Sequence, residues 1–177
     1  MGRTRNELIA AIIEGGFGTG WVEWGTANLT AKAWLAVRVL AAIIGLVIIA
    51  RAIRLRRANP GPGEPSMFAS RGYRLVVIAE VIALVAGSVV LIVTNLAGFQ
   101  IGWVAFVVGV HFVGFGKLFA ARYYVLGGAL IVAAIAGLLI GLVDGIALTR
   151  PVTGFVAGAC MFVAAAQVLF QYRVRPA

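Results

Sequence analysis

The stretch LVVIAEVIALVAGSVVLIVTNL, residues 75–96, holds a single charged residue, Glu80, among its apolar positions. As an α-helix rising about 1.5 Å per residue it would be about 33 Å long, enough to cross a hydrocarbon core of about 30 Å. It lacks the strict alternation of a barrel strand, and a backbone in lipid must satisfy its own hydrogen bonds, so the stretch reads as a transmembrane helix. Working outward, four more stretches read the same way: residues 31–50, 101–119, 124–148 and 153–170.

The whole chain agrees. Of its 177 residues 62% are apolar and 12% charged, and the mean hydropathy is +1.03. A soluble domain carries about 25% charged residues, and a chain this short cannot bury so much apolar surface in its own core. The fold class is therefore an all-α, polytopic transmembrane helix bundle, a single domain over residues 1–177 with the lipid bilayer as its first partner. The net charge of +9 does not indicate nucleic acid, because the basic residues sit at the ends of apolar runs rather than among exposed aromatics. Cys160 is alone, so neither a disulfide nor a zinc framework is available. The first long apolar run ends at Arg51 rather than at a small-residue cleavage site, so no cleavable signal is expected.

Residues 51–74, RAIRLRRANPGPGEPSMFASRGYR, form the longest link and contain six arginines: Arg51, Arg54, Arg56, Arg57, Arg71 and Arg74. The excess of Lys and Arg in cytoplasmic loops places this link in the cytoplasm. Lys117, Arg122, Arg173 and Arg175 fall on the same side, against Lys32 and Arg150 on the other. Trp21, Trp24, Trp34 and Trp103 gather at the outer interface, and Tyr73, Tyr123, Tyr124 and Tyr172 at the inner one. The expected location is a bacterial inner membrane, multi-pass, with the C-terminus cytoplasmic.

Residues 1–30 are ambiguous. Leu8, Ile9, Ile12 and Ile13 repeat as in a short amphipathic helix, which GGFGTG at residues 15–20 is expected to break. Residues 8–22 would reach only about 22 Å as a helix. An interfacial or re-entrant segment and a short sixth span both fit; Arg3 and Arg5 favour the span, while Glu14 and the glycines oppose it.

The fourth long span carries a small residue every fourth position, at Ala129, Ala133, Gly137, Gly141 and Gly145, and the fifth adds Gly154 and Gly158. Such stripes let helices approach closely, either within one chain or between copies.

Ionisable residues inside spans are costly and mark functional candidates. Counted from the outer boundary, Arg38 lies about 12 Å deep, Asp144 about 7 Å and His111 about 15 Å, while Glu80, Lys117 and Gln167 lie at about 22–25 Å. Two layers follow, each able to balance its charge: Arg38 with Asp144, and Glu80 with Lys117. His111 between them could exchange a proton near neutral pH. The same residues could instead be structural pairs between helices. His111, Cys160 and Met161 are too few soft ligands for a metal site within one chain, and no metal or cofactor is expected. Without a nucleophile–base pair, paired carboxylates or a nucleotide fingerprint, no catalytic residues are assigned and an enzyme is not expected.

Residues 107–132, VVGVHFVGFGKLFAARYYVLGGALIV, resemble a segment of small polytopic bacterial membrane proteins in which G-x-H-F precedes a basic residue, Leu-Phe and an aromatic pair before Gly. The matching positions are Gly109, His111, Phe112, Lys117, Leu118, Phe119, Tyr123, Tyr124 and Gly127; where Pro would follow His-Phe, this chain has Val113-Gly114. The resemblance implies a bundle of four to six spans and no activity.

The leading functional expectation is a small oligomeric channel or transporter moving a proton, ion or small solute past Arg38, Glu80, His111, Lys117, Asp144 and Gln167. The alternative is an accessory, scaffold or substrate-binding subunit of a larger membrane complex, docked through Gly137, Gly141 and Gly145. A homo-oligomer or such a complex is the expected assembly.

Overall fold

The computed structural model describes residues 5–58 and 67–172. Arg3, the Pro/Gly centre of the long link at 59–66, and Arg173 and Arg175 lie outside the described residues. The described residues form six α-helices and no strand: α1 Arg5–Thr26, α2 Lys32–Ala58, α3 Arg71–Val93, α4 Gln100–Leu118, α5 Arg122–Val143 and α6 Thr149–Gln171. Helices α2 to α6 are long and apolar enough to cross a membrane. Their outward faces are apolar, with Leu46, Val81, Val125 and Val143 all exposed, as lipid rather than water requires.

Short-range chemistry sets the ends of the helices. Ser70 caps α3, its hydroxyl accepting from the Tyr73 N–H at 3.1 Å. At the other end Asn95 turns left-handed at φ 59°. Leu96 N–H then donates to Leu91 C=O at 2.7 Å and Asn95 N–H to Ile92 C=O at 3.1 Å. These two bonds make a Schellman stop with Asn in the place glycine usually takes. Gly145 follows α5 at φ 110° and ψ 142°, an extended positive-φ conformation that glycine alone adopts readily, which leaves Asp144 as the helix cap rather than a residue inside a span reaching 148.

The glycine run at residues 15–20 does not break α1, contrary to the sequence expectation. The helix continues for 22 residues, about 33 Å. It lies antiparallel along α6 for the whole of that helix. A Cβ on Gly25 would fall 2.8 Å from Gly154 Cα, and one on Gly18 would fall 2.7 Å from the Phe162 ring. Leu8 packs with Ala165, Val168 and Leu169. On its other flank Gly15 meets Ile48 of α2. Close packing overrides the low helix propensity of glycine here, because a missing side chain lets the backbones approach. The segment runs beside α6 along its length as one unbroken helix, while α2 to α6 are the helices long and apolar enough to span.

Helices α5 and α6 close the small-residue stripe. Gly137 faces Thr153 and Gly141 faces Thr149, and Ala133, Thr149 and Thr153 are fully buried. Gly154 and Gly158 face α1 through Gly25, Gly18 and Val22. Ala133, Gly137, Gly141, Gly154 and Gly158 are thus consumed by contacts within the chain, so the middle of the stripe is not open as a docking face. Gly145 lies beyond it in the loop.

The bundle is ordered α2–α1–α6, then α5 and α4, with α3 at the far edge packed chiefly on α4. A core of Trp21, Ile101, Leu130, Ala133, Ala157 and Met161 joins α1, α4, α5 and α6. No residue of α3 is buried. Because α3 leans on α4 and not on α1, a cleft remains between α1 and α3.

Candidate functional site

That cleft holds a cavity of about 200 Å³ in the half of the bundle carrying the arginine-rich link. Five helices contribute to its wall: Ala10, Ile13, Glu14 and Phe17 from α1, Tyr73, Val77 and Glu80 from α3, Val108, His111, Phe112 and Phe115 from α4, Tyr123 from α5 and Met161 from α6, with Phe68 before α3. The wall is mostly aromatic and aliphatic, with a few convergent polar groups, which is the usual make-up of a small-molecule site.

Two acid–base pairs stand in this wall. Glu80 Oε2 lies 2.6 Å from His111 Nδ1, with both side chains largely buried. The contact joins α3 to α4 at the one place where each carries an ionisable group facing the other. Glu14, only 2% exposed, receives a two-pronged contact from Arg122: Nη2 at 3.0 Å from Oε1 and Nη1 at 3.3 Å from Oε2. Of the two contacts, Nη1–H donates a hydrogen bond to Oε2, and a charge-assisted bond of this kind is stronger than a neutral one. The Arg122 guanidinium also lies 4.4 Å over the Tyr123 ring and donates to its hydroxyl at 3.0 Å. Neither charge of the pair is left alone in low dielectric, which would otherwise cost several kcal/mol per ion (about 3–5 kcal/mol on removing one partner).

An aromatic relay surrounds the pairs. Tyr73 stacks on Phe115 at 5.2 Å, Phe115 meets the His111 ring at 4.0 Å, and Phe112 stacks on Tyr123 at 5.8 Å. Phe68 closes the end edge-on to Tyr73. The imidazole is therefore held between a carboxylate and ring edges, so its orientation is set by its neighbours.

Of the residues singled out from sequence, the structure brings Glu80 and His111 together and leaves the others apart. Arg38 does not meet Asp144. It donates from Nε to Thr26 Oγ1 at 2.9 Å, and from Nη2 to the Thr26 and Leu29 carbonyls, with Glu23 3.9 Å away. It caps the C-terminus of α1, where carbonyls without helical partners attract a cation. Asp144 is exposed beside Gly145. Lys117 is exposed in the last turn of α4 and, among the described residues, makes no ion pair, so its pairing with Glu80 is replaced by His111. Gln167 lies exposed on α6. His111 meets Glu80 across the two inferred depths because helix α3 ends at Val93, before the assumed boundary, which brings Glu80 closer to His111 along the axis; Arg38 and Asp144 take no part.

Two residues that complete the site were read otherwise from sequence. In the sequence Arg122 reads as a topology determinant and Glu14 as an obstacle to a span. Ala11, Gly15, Gly18, Val22 and Gly25 form a small-residue face at helical spacing. That face was the available sign that α1, with Glu14 beside it, turns inward. Among the described residues no three His, Cys, Asp or Glu side chains gather to hold a metal ion. Cys160 is a free, half-buried thiol packed beside the core.

The site thus sets a carboxylate–imidazole contact in the wall of an apolar chamber that a second carboxylate, paired with Arg122, also lines. The chain matches no protein-family model, no curated protein and no solved structure.

Proposed function

We propose that the protein is a small membrane transporter whose solute chamber is the α1/α3 cleft and whose proton-exchanging unit is Glu80–His111. The observation that carries this reading is the 2.6 Å contact of a carboxylate with the chain's one histidine in the wall of the cavity. Intramembrane ionisable groups facing a cavity commonly form solute or proton paths, and imidazole changes charge near neutral pH. The chamber is built within one chain, so the function needs no second copy to complete the site. The accessory-subunit alternative loses the docking face at Gly137 and Gly141, which α6 covers.

Orientation belongs to the same proposal. Counting α1, which is coextensive with α6, as a sixth crossing puts the start of α1 and the end of α6 on one side with Arg51, Arg54, Arg71 and Arg74. The bias of Lys and Arg toward the cytoplasm then puts that side, and the chamber, on the cytoplasmic half of a bacterial inner membrane.

The test is proton movement in vesicles containing purified protein and a trapped pH dye. An imposed pH gradient is combined in turn with alkali cations, organic cations, amino acids and carboxylic acids. At least one class is expected to drive protein-dependent proton flux, with at least a tenfold loss in Glu80→Gln and His111→Gln. Unchanged flux in both variants would remove the pair from the mechanism, and silence of the native protein across the whole panel would end the transport reading.

A further inference from the structure

We infer that the solute taken by the chamber is a monovalent organic cation with an apolar or aromatic body, exchanged one-for-one with a proton. The inference rests on the transport reading above and adds the substrate class.

Charge in the wall carries it. Two carboxylates, Glu14 and Glu80, line the cavity from α1 and α3. The Arg122 guanidinium does not; it stands behind Glu14 and against the Tyr123 ring. Among the described residues the lining therefore holds no cation other than a protonated His111. Aromatic faces supply the rest of the surface, and their negative quadrupoles attract cations, quaternary ammonium above all.

The balance is simple. Arg122 neutralises Glu14 in every state. Where His111 holds the exchanged proton, its imidazolium faces Glu80 and neutralises it. If the imidazole gives its proton to water on the arginine-rich side, Glu80 is left as an uncompensated carboxylate in an apolar wall, an unfavourable state. One monovalent cation restores neutrality, and no electrons move. The groups that face His111 from its neighbours are Glu80 and Tyr73 on α3, Glu14 on α1, and Tyr123 with Arg122 behind it on α5; Met161 of α6 brings no charge. Lys117, on the same helix, is exposed and outside the lining. Access is lateral: Ile13 and Phe17 of the wall are exposed, Phe17 by 59%, where α1 and α3 part.

The probe is benzyltrimethylammonium, which has one ring, one fixed charge and no proton of its own. Any proton released on binding must come from the protein. Calorimetry of the native protein in phosphatidylglycerol nanodiscs, in two buffers of different ionisation enthalpy, is expected to show binding with one proton released. Affinity should rise by up to about tenfold per pH unit where proton and cation compete. Glu80→Gln should weaken binding by about tenfold to a hundredfold, the range for losing one opposite charge close to the cation in a partly desolvated wall. His111→Gln should bind with no proton released. Phenylacetate, of similar shape and opposite charge, should not bind; preferential binding of phenylacetate overturns the assignment, as does binding of the ammonium without proton release. No binding of the ammonium, with vesicle proton flux intact for another solute, overturns the substrate class and spares the transport reading. Binding with proton release but without vesicle flux keeps the cation site and ends that reading. The native-protein heats do not depend on any variant folding. Phosphatidylcholine nanodiscs identify the source of the ammonium: competition there assigns the site to a lipid headgroup, and equal affinity to a free solute.

Discussion

Helices α1 and α3 exchange the places their compositions suggest. Helix α3 is among the most apolar of the spans, yet none of its residues is buried. Helix α1 contains Glu7, Glu14, Glu23 and five glycines, yet it packs against α2 and α6 and sends Trp21 into the main core. In water apolar helices are driven inward; in lipid that drive is absent, because hydrocarbon tails are as apolar as leucine. What draws a helix to the centre of a membrane bundle is close backbone approach and polar groups needing partners. Helix α1 has both, and α3 offers one polar anchor in each half, Glu80 to His111 and Ser88 to Gln100.

The sharpest way to break this contrast is at Glu14. Glu14→Ala leaves Arg122 with its carboxylate partner gone, and a loss of about 3–5 kcal/mol is expected. Unfolding by a denaturing detergent added to mild-detergent micelles measures it, and Arg122→Met in the same chain should recover a large part. A loss below about 1 kcal/mol for Glu14→Ala would mean that water, not Arg122, satisfies the carboxylate.

Two glycines on one helix give the next test. A methyl group at Gly25 would press on Gly154 Cα and Arg150 C=O at 2.8 and 2.9 Å, whereas one at Gly20 meets nothing within 4 Å. Gly25→Ala should cost about 1–3 kcal/mol by overpacking. Gly20→Ala should be neutral or stabilise by up to about 1 kcal/mol through helix propensity. Thermal melts of the two variants side by side decide it; equal effects would show that α1 and α6 are not held at the separation seen here.

The smallest effect is predicted on α3. Ile82 is 63% exposed and faces lipid, so Ile82→Ala should change stability by no more than about 0.5 kcal/mol. A loss of about 2 kcal/mol would reveal a partner covering this face.

Much of the architecture was legible before any coordinates. Residues 75–96 and the four similar runs announce themselves because crossing a bilayer is a requirement on length and apolarity, both written along the chain. Glu80 and His111 stood out for the same reason, as charges where charge is expensive. Arg122 was hidden by its place at the end of a run, where arginines ordinarily report topology. Glu14 was hidden by glycines that would break a helix in water but here tighten one.

The sequence alone thus determined that this is a membrane bundle, which segments are its long spans, and which few side chains carry an unusual electrostatic cost. Tertiary structure decided which helix lies inside, that His111 rather than Lys117 answers Glu80, and that Arg122 answers Glu14. Span length and apolarity are properties of one segment against its solvent. Partners depend on the rotation of each helix about its axis and on how closely glycines let two backbones meet, and these are settled only when all six helices pack at once.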